Sequence, residues 1–131
     1  MPLKLKKSHY DQIVSQAKQD LPNETCGLIA GKNNEAQVLI PIPNAKPSPV
    51  MYQMDGKALL KAFKQIDEQK LELLAIYHSH VASPAYPSQT DVELALYPEA
   101  CYLIVSLQKE PEIRNFKIAD RKITEENFEI V

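Results

Sequence analysis

The sequence predicts an α/β fold: a mixed β-sheet with helices packed against it. Two segments repeat apolar residues at helical spacing. Several others are short apolar or alternating runs of the strand type, and the two kinds interleave along the chain. With 131 residues, 44% of them hydrophobic, the chain suits one globular domain over residues 1–131 that buries roughly two-thirds of its unfolded surface.

The elements follow in order. Leu3 to Lys7 reads as a first strand with Lys4, Lys6 and Lys7 on its outer face. Ser8-His9-Tyr10-Asp11 has the form of a capping box and opens a helix whose apolar stripe is Tyr10, Ile13, Val14, Ala17 and Leu21. His9, at that helix start, reads as a surface residue. Cys26–Gly31 and Gln37–Ile42 are strands joined by the polar turn Lys32-Asn33-Asn34-Glu35, hence a hairpin. Pro41, Pro43, Pro47 and Pro49 make the next stretch extended and loop-like. A second helix is expected from about Gly56 to Lys70, with Leu59, Phe63 and Ile66 inward and Lys57, Lys61, Lys64 and Glu68 on a solvated face.

Leu73 to Tyr77 is continuously apolar, as in a strand buried on both faces. The segment from Val81 to Pro87 is too proline-broken to continue it. Ser88-Gln89-Thr90-Asp91 and Thr90-Asp91-Val92-Glu93 both match a capping box, so a helix begins there and Leu94, Ala95 and Leu96 continue it. Cys101–Leu107 reads as a buried strand, Ile113–Asp120 as a partly exposed one, and Phe128–Val131 as a short edge.

Composition narrows the function classes. A net charge of -2 and a pI near 5.9 give no electrostatic case for nucleic acid or an anionic membrane. No apolar run is long enough to span a bilayer and the N-terminus lacks a signal-peptide core, so a cytoplasmic protein is expected. Cys26 and Cys101 read as small buried residues of a reducing compartment rather than as a disulfide or a nucleophile.

The chemistry concentrates at His78-Ser79-His80, followed by Ser88 and Asp91. Side chains two apart on a strand project to the same side, so both imidazoles can face one point. Asp91, in a helical first turn, can swing back to complete a His, His, Asp set that leaves a fourth tetrahedral position for water. Catalytic zinc sites have that composition, whereas structural ones fill all four positions with protein ligands. Spacing alone leaves other readings open: polar histidines beside a plain helix cap, or a non-haem iron site, which also uses two histidines and a carboxylate.

His78-x-His80-x7-Ser88-x2-Asp91, preceded by Glu24-Thr25-Cys26-Gly27-Leu28-Ile29-Ala30-Gly31, resembles the JAMM (Mov34/MPN/PAD-1) metalloprotease family in its small bacterial form. The pattern covers Glu24 to Leu107, and every position of it is present. The resemblance implies a three-layer, cytidine-deaminase-like fold and one zinc ion per chain. It matches His78, His80 and Asp91 to the metal ligands, Glu24 to the acid/base that handles the proton of the attacking water, and Ser88 to a hydroxyl that helps bind the oxyanion. It further implies hydrolysis of an amide or isopeptide bond at the C-terminal glycine of a ubiquitin-like or sulfur-carrier protein ending in Gly-Gly.

The short form is most similar to members that release cysteine from a sulfur-carrier adduct. A deubiquitinase-like isopeptidase and a non-catalytic zinc-containing MPN binding module are the alternatives, the latter needing neither Glu24 nor Ser88. Beside the expected cleft, Val50-Met51-Tyr52 within Asn44–Met54 is a short apolar run that either pairs with a flexible carrier tail by strand addition or is an ordinary surface loop.

Overall fold

The computed structural model describes residues 2–131. Its centre is an eight-stranded mixed sheet: β1 (Leu3–Leu5), β2 (Cys26–Lys32), β3 (Glu35–Ile42), β4 (Glu72–His80), β5 (Cys101–Ser106), β6 (Glu112–Ala119), β7 (Lys122–Glu126) and β8 (Phe128–Ile130), in the order β7-β6-β5-β4-β2-β3-β1-β8. β4 and β5 run parallel, as do β1 with β3 and β1 with β8; the remaining pairs are antiparallel.

The predicted hairpin forms because Asn33 and Asn34 adopt φ of 54° and 60°, the left-handed backbone that a tight turn between twisted strands requires. Asp120 and Arg121, at 51° and 64°, make the same turn between β6 and β7. β7 is absent from the sequence reading: Lys122-Ile123-Thr124-Glu125-Glu126 holds a single apolar residue, and the strand is pinned instead by β6 and the Arg114–Glu125 ion pair. Only Asn127 separates β7 from β8, although these strands lie at opposite ends of the sheet order. The sheet therefore curls until its two ends meet.

Helix α1 (Lys7–Gln19) packs on the inside of that curl, with Ile13 and Ala17 against Leu5, Ile29, Tyr77 and Leu103. Helix α2 (Gly56–Glu68) packs on the other face, with Ala62 and Ile66 buried and Leu59 and Phe63 lying partly buried against Leu28, Ile76 and Tyr102. Two apolar clusters on opposite faces of one sheet make three layers. At Gly27 on β2 any Cβ would overlap the Tyr77 ring, so only glycine lets that ring lie flat across the strand.

Four local expectations are corrected. The first strand stops at Leu5, and α1 begins at Lys7 with Lys6 as an N-cap that offers no side chain. The Ser8 box is unused because the end of the sheet does the capping: Lys7 N–H donates to the Val131 carbonyl at 3.3 Å and Val131 N–H to that of Leu5 at 2.9 Å. His9 is buried, not on the surface, because spacing of four places it on one stripe with Ile13 and Ala17. Burial lowers the proton affinity of its ring, first through lost hydration and then through nearby Lys6. Leu21, by contrast, lies beyond the helix end and is exposed.

Helix α3 (Gln89–Glu93) is only five residues long. Leu94 and Leu96 do not extend it and are 60% and 76% exposed, because the Tyr102 hydroxyl accepts the N–H groups of Leu96 and Tyr97 at 3.1 and 3.0 Å and draws the chain out of helical geometry. No helix among the described residues is long and apolar enough to cross a membrane.

Candidate active site

β4 runs buried through both histidines to its last residue. Alternation places His78 and His80 on the α2 face, in line with Ile76, and Ser79 on the α1 face with Tyr77. Ser79 closes the strand end there: its Oγ accepts Thr25 N–H at 2.8 Å and its own N–H donates to the Thr25 carbonyl at 3.1 Å. The residue before Thr25 is Glu24, whose backbone is held from the far side by the loop between β3 and α2. Glu24 N–H donates to the Ser48 carbonyl at 2.8 Å and Asn44 Nδ2 to the Glu24 carbonyl at 3.2 Å.

The predicted capping box opens α3 in full. Ser88 Oγ accepts Asp91 N–H at 3.1 Å, and Ser88 N–H donates to Asp91 Oδ2 at 2.9 Å. The box turns the carboxylate back toward β4, where Oδ2 lies 2.9 Å from His80 Nε2 and 3.2 Å from His78 Nε2; the two ring nitrogens are 3.2 Å apart. The three predicted ligands therefore form a nearly equilateral triangle of donor atoms, the one group of this kind among the described residues. A tetrahedral ion with bonds of about 2.0 Å separates its ligand atoms by about 3.3 Å, so the donor set fits zinc.

Protonation chemistry points the same way. His80 Nδ1 lies 2.8 Å from the Pro84 carbonyl, a pure acceptor, so that nitrogen carries the hydrogen and a neutral ring aims its Nε2 lone pair at the Asp91 carboxylate. Such a contact needs a positive charge, either a proton or a metal ion. Burial opposes charge on His80, yet the Asp91 carboxylate and the Pro84 carbonyl outweigh it and raise its proton affinity. Burial alone would raise Asp91, but the bonds from His78, His80 and Ser88 hold its carboxyl far below the usual range.

Glu24 is 4% exposed, and its Oε1 has no hydrogen-bond partner. Burial pushes this carboxyl up from 4.5 to about 7, with His80 opposing and Asp91 adding to the shift. An orphaned carboxyl oxygen beside a cluster that calls for a cation is placed to accept a proton from a third party. Ser88 is exposed, and accepting a bond at its oxygen leaves the hydroxyl hydrogen free to donate.

Glu24 supplies a pH test. A carboxyl that holds its proton more tightly folded than unfolded costs stability as pH rises from about 4.5 to about 7, and the cost is constant above that. At about 1.4 kcal/mol per tenfold change in affinity, the total is at most about 3.5 kcal/mol. Metal-free Glu24→Gln should therefore melt progressively higher than metal-free wild type as pH goes from 5 to 8. A difference in melting temperature that stays constant over that range would refute the burial of an ionising Glu24.

Next to Asp91 a cleft of about 250 Å³ opens, walled by Leu28, Met51, Tyr52, Met54, Ile76 and Tyr102 and bordered by the exposed Leu94 and Leu96. Of the run Val50-Met51-Tyr52, Met51 and Tyr52 line it, whereas Val50 is 77% exposed; Tyr52 turns inward and stacks on His78. Cys26 and Cys101 are free and buried, and burial, with Asp20 and Glu24 nearby, pushes the Cys26 thiol up to about 12, too high for a nucleophile.

The grips of Asn44, Ser48 and Ser79 on the Glu24–Thr25 segment are missing from the sequence reading. The histidine alternation already placed Ser79 on a buried face where a hydroxyl needs a partner; Asn44 and Ser48 left no such signal.

Similarity to known proteins runs along the same lines. A family model described as prokaryotic homologs of the JAB domain matches residues 6–119. The CysO-cysteine peptidase of Mycobacterium tuberculosis is 39% identical over 124 residues, covering 91% of this chain and 84% of that protein. A probable TtuB-protein conjugate cleaving protease of Thermus thermophilus is 47% identical over 78 residues, covering 59% of this chain and 52% of its own. The solution structure of a Desulfitobacterium hafniense protein superposes with a TM-score of 0.85 at 34% identity, covering 98% of this chain and 91% of the other.

Proposed function

We propose, since this chain belongs to the family of prokaryotic homologs of the JAB domain, that it is a JAMM-type zinc metallopeptidase. It hydrolyses the amide bond at the C-terminal glycine of a sulfur-carrier protein and releases cysteine or a similar adduct. The observation that carries the reading is the triangle of His78 Nε2, His80 Nε2 and Asp91 Oδ2, together with the buried, unpartnered Oε1 of Glu24. The relative named for cysteine cleavage from CysO aligns along 91% of the chain, and this supports the choice of adduct. Two free, buried thiols suit action in the cytoplasm.

His78, His80 and Asp91 would hold one zinc ion. Zinc held there supplies Lewis acidity, lowering the pKa of a water and polarising the scissile carbonyl. Glu24, as carboxylate, takes a proton from the attacking water and delivers it to the leaving amine as the C–N bond breaks. Positive charge held by the ligand triangle counteracts the burial that raises Glu24 and favours the ionised form it needs to act as a base. Ser88 keeps the α3 cap through its oxygen lone pair and donates its hydrogen to the carbonyl oxygen as negative charge develops. The products are the carrier carboxylate and the free amine.

The test is a zinc-loaded cleavage assay on a carrier whose Gly-Gly terminus bears cysteine in amide linkage, followed by mass spectrometry. One cysteine should leave per carrier. Changing the tail to Ala-Ala should slow release by roughly tenfold or more, because added methyl groups widen a tail that must thread to the metal. An intact adduct alongside cleavage of a carrier–lysine isopeptide would favour the second reading, a deubiquitinase-like deconjugating isopeptidase, to which the conjugate-cleaving Thermus relative points. Cleavage of neither would contradict the proposal.

A further inference from the structure

We propose that Tyr52 is a positioning residue for His78, holding by ring stacking an imidazole that lacks the hydrogen bond its neighbour has. The inference rests on the reading of His78 as a metal ligand. Ligating histidines are normally oriented through the second ring nitrogen, which donates to a carbonyl or carboxylate. His80 follows that rule, with Nδ1 at 2.8 Å from the Pro84 carbonyl. His78 does not: its Nδ1 is buried and has no partner. The Tyr52 ring lies over it instead, with centroids 4.7 Å apart and planes inclined by 29°, a stacked arrangement. The His80 ring also meets His78, edge-on at 5.0 Å. Two rings thus contact His78, only Tyr52 stacking on it, and the position of its Nε2 in the donor triangle depends on that stack.

A stacking ring orients a ligand only if it is itself held, and Tyr52 is. Its loop is closed by Asn44, whose Oδ1 accepts the N–H groups of Lys46 and Gln53 at 3.1 and 3.0 Å, while Ala45 N–H donates to the Gln53 carbonyl at 2.7 Å. Gln53, next to the tyrosine, is therefore fixed at both backbone groups. The same loop grips the backbone of Glu24 through Ser48 and Asn44. One loop thereby sets the spacing between the proton-handling carboxyl and a ligand of the triangle.

The competing role for Tyr52 is as mere wall of the apolar cleft, which it also lines. The two are separated by Tyr52→Phe and Tyr52→Leu, the second filling the space without an aromatic face. Zinc affinity is measured by competition with a chromophoric chelator, and the imidazole resonances of His78 and His80 are followed by NMR in the metal-free protein. Tyr52→Phe should keep zinc affinity within about threefold, whereas Tyr52→Leu should weaken it about tenfold or more, the usual scale for a group that orients a ligand. In the leucine variant the His78 ring signals should lose their ring-current displacement while the Nδ1 environment of His80 persists. A Tyr52→Leu protein with wild-type zinc affinity and unmoved His78 resonances, changed only in KM, would overturn the proposal in favour of the cleft wall. Should the wild type bind no zinc, the metallopeptidase reading falls, and the His78 resonances still decide whether the ring holds this imidazole.

Discussion

Glu24→Gln is expected to bind one zinc per chain as wild type does and to lose about a hundredfold or more in kcat, the scale on which proton-transfer groups act. The amide keeps the shape of the carboxyl and can still be held by the Ser48 and Asn44 contacts, which reach only its backbone. What it loses is the ability to take a proton at Oε1, the one carboxyl oxygen among the described residues that is buried without a partner. The result is read as steady-state turnover together with metal content on the same sample. Near-normal turnover would remove Glu24 from the mechanism, and loss of zinc would make it a ligand.

His78→Ala and Asp91→Ala are each expected to abolish stoichiometric zinc and, with it, cleavage. Removing one corner of a three-donor triangle leaves two protein ligands, too few to hold the ion against solvent. The two variants should differ in stability. Asp91→Ala also strips the reciprocal bond from Ser88 N–H and the acidic residue from the first turn of α3, at a cost of about 1 kcal/mol. His78→Ala should instead leave a cavity under the Tyr52 ring. Elemental analysis after zinc reconstitution decides the first point. Equal zinc in wild type and both variants would show the ligand set to be wrong.

What was legible in the sequence was local. The alternation of His78 and His80, the Ser88–Asp91 box and the Asn33-Asn34 turn each depend on neighbours within a few positions, so spacing predicted them and the fold repeats them. Glu24 was legible only through the family resemblance. Its backbone is held by Asn44 and Ser48, some twenty residues on, and no periodicity near Glu24 announces that placement. Tyr52 marked a cleft wall but not a stacking partner, because its contact with His78 spans separate elements. His9 was misread by residue type rather than by pattern, since its spacing to Ile13 already set it on the buried stripe. β7 and the shortness of α3 were invisible for a shared reason: an exposed edge strand and a helix end are decided by partners elsewhere, β6 in one case and the Tyr102 hydroxyl in the other.

The central claim is that one ion is held by three named atoms, with Glu24 close by but not bound to it. Anomalous diffraction from zinc-reconstituted crystals, collected on either side of the zinc absorption edge, tests it directly. The account predicts a single peak per chain, at about 2.0–2.2 Å from His78 Nε2, His80 Nε2 and an Asp91 carboxylate oxygen and beyond bonding distance of the Glu24 oxygens. A peak elsewhere on the chain, or one with Glu24 inside that bonding distance, would contradict it.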